Sequence, residues 1–175
     1  MTPEPDLQPF LQPSEMIDFQ HPEVVRVASR FATGDDCETA RRCFDFVRDE
    51  IRHSSDFQTN PVTCRASDVL RYGTGYCYAK SHLLCALLRC NRIPAGLCYQ
   101  RLVIDADAPT CCLHGLNAVY LNDFGWYRVD ARGNRQGIDS QFDPPRERLA
   151  FTNDDEGEFL FSKIYDLPLP EVVNC

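Results

Sequence analysis

The change of hydrophobic period at Pro94 constrains this chain more than any other feature. Before it, apolar residues recur at helical spacing; after it they follow the pattern of strands. Upstream, Val24, Val25, Val27, Ala28 and Phe31 form one stripe, opened by His21-Pro22 and broken at Thr33-Gly34-Asp35. Asp35 or Asp36 caps a second helix of about 15 residues, whose inner face is Ala40, Cys43, Phe44, Phe46, Val47 and Ile51. His53 to Arg65 reads as irregular, with a turn at Asn60-Pro61, and Ser67 reads as the N-cap of a short helix carrying Val69 and Leu70. A third helix starts at about Cys77 and runs through Leu83, Leu84, Ala86, Leu87 and Leu88 to a stop near Asn91.

Downstream, Ala95–Ile104, Leu113–Leu121 and Trp126–Ala131 read as strands, the last two joined by the turn signal Asn122-Asp123-Phe124-Gly125. Weaker strand signals follow at Arg148–Phe151 and Phe159–Ile164. Helices followed by an antiparallel sheet make an α+β fold. No repeat or composition shift divides the 175 residues, so one domain is expected over 1–175, with an extended N-terminal arm at 1–20 and a core at about 36–165.

Composition excludes more than it assigns. A net charge of −8 without a Lys/Arg cluster argues against nucleic acid as a partner. No apolar run is long enough to span a bilayer, and the first residues lack the basic and apolar regions of a secretory signal, so no membrane partner and a cytoplasmic location are expected. Ten cysteines are then expected as reduced thiols, most of them small buried hydrophobes. No C-x-x-C occurs, and His21, His53, His82 and His114 are scattered, so no metal or other cofactor is expected.

One cysteine stands apart. Cys77 follows Gly75-Tyr76 at the start of a helix, where free N–H groups and the positive dipole end favour thiolate over thiol. A thiolate nucleophile needs a histidine, and the histidine an orienting acceptor. With Asn122–Phe124 as the loop, Leu121 pairs with Gly125, and His114 and Asp130 become diagonal neighbours on one face, roughly 7–8 Å apart. A slip of one residue would place them on opposite faces. Each residue alone also fits a structural role: a buried cysteine, a strand-edge histidine, or an aspartate paired to Arg128 or Arg132.

Three segments in order carry a resemblance. Gly75-Tyr76-Cys77 leads through a leucine-rich helix to Arg92-Ile93-Pro94-Ala95-Gly96; Leu113-His114-Gly115 and Gly125-Trp126-Tyr127-Arg128-Val129-Asp130 follow. Over about residues 65–134 the chain resembles bacterial transglutaminase-like proteins. The resemblance implies a papain-like cysteine-enzyme core, with the catalytic helix packed on an antiparallel sheet, and Cys77, His114 and Asp130 as catalytic triad. Two departures stand out. Leu116 occupies a position that is often aromatic in the family, which changes the expected wall of the site, and the zinc segments of deglycosylating relatives are missing.

The expected reaction is acyl transfer through a Cys77 thioester, hydrolysing a peptide, isopeptide or other amide substrate. Transfer of a glutamine γ-acyl group to an amine acceptor and a non-catalytic binding module are the alternatives. The oxyanion is expected to meet the Cys77 backbone N–H and one further donor from Gln100, Tyr99, His53 and Tyr76, with Gln100 ranked first. Tyr76, Tyr78, Trp126 and His53 are candidates for the substrate cleft, although Trp126 reads better as packing within its hairpin. His82 points away from Cys77, as a surface or core residue.

Overall fold

The seam at Pro94 divides the chain into a helical half and a sheet half, and the computed structural model describes residues 5–105 and 110–173. The arm is less extended than expected. It holds a 3-10 turn at Gln8–Leu11, and its Ile17 is wholly buried. Helix α1 (Pro22–Ser29) starts with Pro22 in its first turn and buries Val24, Val27 and Ala28. In α2 (Asp36–Glu50) the Asp35 side chain accepts from the Glu38 N–H at 2.6 Å, an N-cap that satisfies one orphan donor.

The stretch expected to be irregular contains β1 (Arg52–His53) and a single turn, α3 (Ser54–Phe57). Helix α4 (Ala66–Tyr72) is capped at Arg65 rather than at Ser67. The Ser67 N–H instead donates to Asp18 Oδ1 at 3.0 Å, so the arm supplies an acceptor that local sequence does not reveal. Strand β2 (Thr74–Gly75) pairs in parallel with β1, His53 opposite Gly75, and leads directly into α5 (Cys77–Cys90).

Helix α5 is buried on every side from Ala79 to Arg89, as a helix at the centre of a domain must be. Two long cationic side chains in it reach backbone carbonyls. Lys80 Nζ donates to Ile51 O at 2.5 Å and Arg48 O at 3.3 Å, the orphan carbonyls at the end of α2. Burial brings the Lys80 ammonium down to about 7.

The sheet half contains β3 (Ala95–Asp105), β4 (Thr110–Leu121), β5 (Gly125–Val129), β6 (Gln141–Asp143), β7 (Arg146–Arg148) and β8 (Phe159–Leu160), followed by a last turn, α6 (Pro170–Val173). The main sheet is antiparallel, in the order β5-β4-β3-β8. Two weak expectations shift. The strand expected at Arg148–Phe151 ends at Arg148 and pairs with β6, which the period did not mark; only Phe159–Leu160 of the next one joins the ladder. Both segments are too short for alternation to define their ends.

Alternation along the sheet makes two cores. Ala95, Leu97, Tyr99, Val119, Leu121, Tyr127 and Val129 join the main core that includes α5. Cys98, Leu116 and Ala118 form a smaller core with Trp126, Leu149, Leu160 and Ile164. Asn117 pins helix to sheet through Nδ2, which donates to Ser81 O at 2.9 Å and Gly96 O at 3.3 Å. No helix among the described residues is long and apolar enough to cross a membrane.

Candidate active site

Cys77 is the first residue of α5, and its N-cap Tyr76 provides no side-chain acceptor. The first-turn N–H groups, which have no intrahelical partner, therefore face whatever lies beyond the helix end. Strand β4 passes close to this turn at Gly115. A Cβ there would sit 2.7 Å from Tyr78 Cα, so only glycine allows the approach. The Gly115 N–H donates to Cys77 Sγ at 3.4 Å.

The β4–β5 register has Leu121 opposite Gly125 and ends at Asn117 opposite Val129. Beyond that point no backbone ladder joins the strands, and side chains bridge them instead. His114 Nε2 donates to Asp130 Oδ2 at 2.7 Å, and His114 lines the same cleft as Cys77. Asp130, wholly buried, also accepts from the Ala150 N–H (3.1 Å, Oδ2) and the Arg132 N–H (3.1 Å, Oδ1). Its carboxylate is thus held by three donors. Phe151 lies edge-on to His114, ring centroids 5.0 Å apart.

Electrostatics separate Cys77 from the other thiols. Burial alone would push it up, but the His114 charge, hydrogen bonds from His114 and His53, and the Gly115 N–H outweigh that and bring it down to about 6. Burial pushes Cys43 up to about 12 and Cys98 up to about 11, and it raises Cys85 and Cys90 as well. For His114, burial disfavours the charged ring, yet Asp130 and Cys77 raise it to about 10. Burial works against the Asp130 carboxylate too, but His114 and the two backbone donors hold it below its usual range. Cys77 is thus shifted toward thiolate and His114 toward imidazolium.

The pair lies in a cleft of about 260 Å³ lined by Tyr76, Tyr78, Leu102, Leu113 and Phe151 together with His53, Arg132 and Cys112. Tyr76 and Tyr78 stack with centroids 6.0 Å apart, and His53 meets Tyr76 edge-on at 5.9 Å. Two expectations and one lesser candidate, Trp126, are corrected. Gln100 stands opposite His114 in the ladder, but its Nε2 donates to Asn153 Oδ1 at 2.8 Å rather than facing the sulfur. Tyr99 points to the other face, where its hydroxyl accepts from the Leu169 N–H at 3.1 Å. Trp126 packs on Phe10 and Tyr120 in the smaller core, with centroids 4.8 and 5.6 Å away, and does not line the cleft.

Leu116 is buried in that smaller core, so its departure from the aromatic pattern leaves the cleft wall untouched. His82 is a core residue, its Nδ1 2.7 Å from Cys64 O, and burial lowers it to about 4. Leu102, Leu113, Phe151 and Asp56 were not marked by the sequence. Phe151 and Ala150 follow a strand too short to read, and no local pattern joins Asp56 to Arg132. Among the described residues, no group of three or more His, Cys, Asp or Glu side chains could hold a metal ion.

The transglutaminase-like superfamily profile matches residues 25–131. Among solved structures, a candidate cysteine protease from Cytophaga hutchinsonii superposes with a TM-score of 0.57 at 20% identity, over 75% of this chain and 43% of that one. The periplasmic domain of TgpA from Pseudomonas aeruginosa gives 0.55 at 17% identity, over 73% of this chain and 48% of that one. The chain thus spans less than half the length of either structure, and the likeness is one of fold. No curated protein matches it.

Proposed function

Since the chain belongs to the transglutaminase-like superfamily, we propose that it is a thiol-dependent acyl-transfer enzyme that hydrolyses amide bonds, with Cys77, His114 and Asp130 as its triad. The observation that carries this reading is the charge pattern of one contact: the lowered Cys77 thiol against a raised His114, itself bound to Asp130 at 2.7 Å.

In this scheme the Cys77 thiolate attacks the amide carbonyl carbon, and the carbonyl oxygen takes the negative charge. The α5 N-terminus, including the Cys77 N–H, meets that oxyanion. The C–N bond then breaks, and His114 protonates the departing amine, leaving a thioester on Cys77. Neutral His114 next takes a proton from water, whose oxygen attacks the thioester; the acid leaves and the ion pair is restored. Asp130 orients the ring and balances its charge. Cys77 is partly exposed, which gives water a route to the thioester and favours hydrolysis over amine transfer. The apolar walls favour a substrate with an apolar group beside the reacting carbonyl.

The test is a panel of fluorogenic peptide amides varied beside the scissile bond, assayed with wild type and Cys77→Ala. Turnover strongest on apolar members and absent from Cys77→Ala is the expected result. Equal turnover by both proteins would overturn the reading. Incorporation of a fluorescent amine with release of ammonia would move the assignment to amine transfer.

A further inference from the structure

One polar side chain in the cleft has no part in the triad. His53 is 7% exposed and belongs to β1, whose parallel pairing with β2 puts it opposite Gly75, two residues before the nucleophile. Its ring meets Tyr76 edge-on and shares the cleft with Cys77 and His114. It enters the Cys77 cleft from β1, whereas His114 and Gly115 belong to β4.

The surroundings of His53 decide which nitrogen carries the proton. Nδ1 lies 3.0 Å from Ser55 Oγ, whereas Asp56 Oδ1 is 3.8 Å away, beyond hydrogen-bond range. Both Asp56 oxygens are already taken by the Arg132 guanidinium, at 2.7 and 2.9 Å. Ser55 is thus the hydrogen-bond partner of Nδ1, and with its hydroxyl donating, the proton sits on Nε2. Arg132 braces both sides of the site, because its backbone N–H also holds Asp130 Oδ1 at 3.1 Å.

We infer that His53 is the second oxyanion donor, its Nε2–H turning to the substrate oxygen as the tetrahedral intermediate forms. The inference rests on the proposed acyl transfer and names a residue for a role that Gln100, engaged with Asn153, does not fill. The geometry suits the exchange. In the resting site the negative charge lies on sulfur. Once the S–C bond has formed, the charge lies on an oxygen two bonds away, so a donor beside the sulfur needs only a small reorientation. No proton is transferred by His53 in this step.

The experiment uses p-nitrophenyl acetate as acyl donor. The S–C bond forms on Cys77 and p-nitrophenolate leaves with the C–O electron pair, giving a burst and an acetyl thioester visible by intact mass. Alkylation by iodoacetamide at pH 9 is the control, since it consumes the same thiolate without forming an oxyanion. His53→Ala is expected to slow acylation about 10²–10³-fold, the usual cost of one oxyanion donor, while alkylation stays within about twofold. His53→Gln, which restores an N–H donor, is expected to recover part of the acylation rate. Unchanged acylation in His53→Ala, or a parallel fall in alkylation, overturns the role of His53 alone. Absence of a Cys77 thioester in the wild type overturns the acyl-transfer reading and this inference with it.

Discussion

At the residue scale, the site works by opposing burial with charge. Cys77 and His114 each lose water, yet each favours the charged form of the other, and Asp130 adds to this for His114. The pH dependence follows with its sign. Under the proposed acyl transfer, activity is expected to rise as pH passes about 6, where Cys77 gives up its proton, and to fall as pH passes about 10, where His114 loses the proton needed by the leaving amine. A bell-shaped kcat/KM profile with limbs near those values is expected. Asp130→Asn keeps the volume but removes the charge that holds the imidazolium. It is expected to bring the alkaline limb down toward the ordinary histidine range and to reduce kcat by about 10²-fold or more. A profile whose alkaline limb does not move would separate Asp130 from the titration of His114.

At the element scale, the site exists because β4 passes the first turn of α5 at backbone distance. Gly115 is the residue that permits this, having no side chain to collide with Tyr78. Gly115→Ala is expected to force strand and helix apart, at about 1–3 kcal/mol of overpacking strain. It should also weaken the N–H contact to Cys77. The expected readouts are a lower urea midpoint and a raised Cys77 pKa in pH-dependent alkylation. Unaltered stability together with an unaltered thiol titration would show that strand and helix can separate without consequence for the nucleophile. Gly125, by contrast, has a φ of 73° and open space around its missing Cβ, so its need is conformational and belongs to the hairpin turn.

On the scale of the whole molecule, one buried cation ties the two ends of the chain to the centre. Arg89, near the end of α5, donates to Ala95 O (3.0 and 2.8 Å), Gln12 O (2.5 Å) and Asp166 O (2.8 Å). The arm, the seam at Pro94 and the C-terminal segment thus converge on one side chain. Arg89→Met leaves three carbonyls without that donor, at about 1–3 kcal/mol for each one that stays buried. The expected outcome is a loss of about 3 kcal/mol or more in denaturant unfolding, with faster proteolysis near Gln12 and Asp166. Digestion at the wild-type rate would mean that the ends are held independently of Arg89.

Much of this architecture was legible from local pattern. The helical stripes of α1, α2 and α5 and the alternation of β3 to β5 are repeated signals, and the turn at Asn122–Gly125 defines a register that puts His114 and Asp130 on one face. The place of Cys77 at the start of α5 was legible for the same reason, because a helix start is a local event. Other features depend on residues far apart in the chain and leave no periodic trace. Asp18 caps α4 across 49 residues, Asp56 holds Arg132 across 76, and Phe151 covers His114 from a loop beyond a three-residue strand. Gln100 and Trp126 show the limit from the other side. Each has the right chemistry for the cleft, but packing turns the Gln100 amide toward Asn153 and the Trp126 ring toward Phe10. By itself the sequence determined the order of elements and the residue types brought together. Only the tertiary structure decided where each polar group points, because that depends on which distant carbonyl or carboxylate reaches it first.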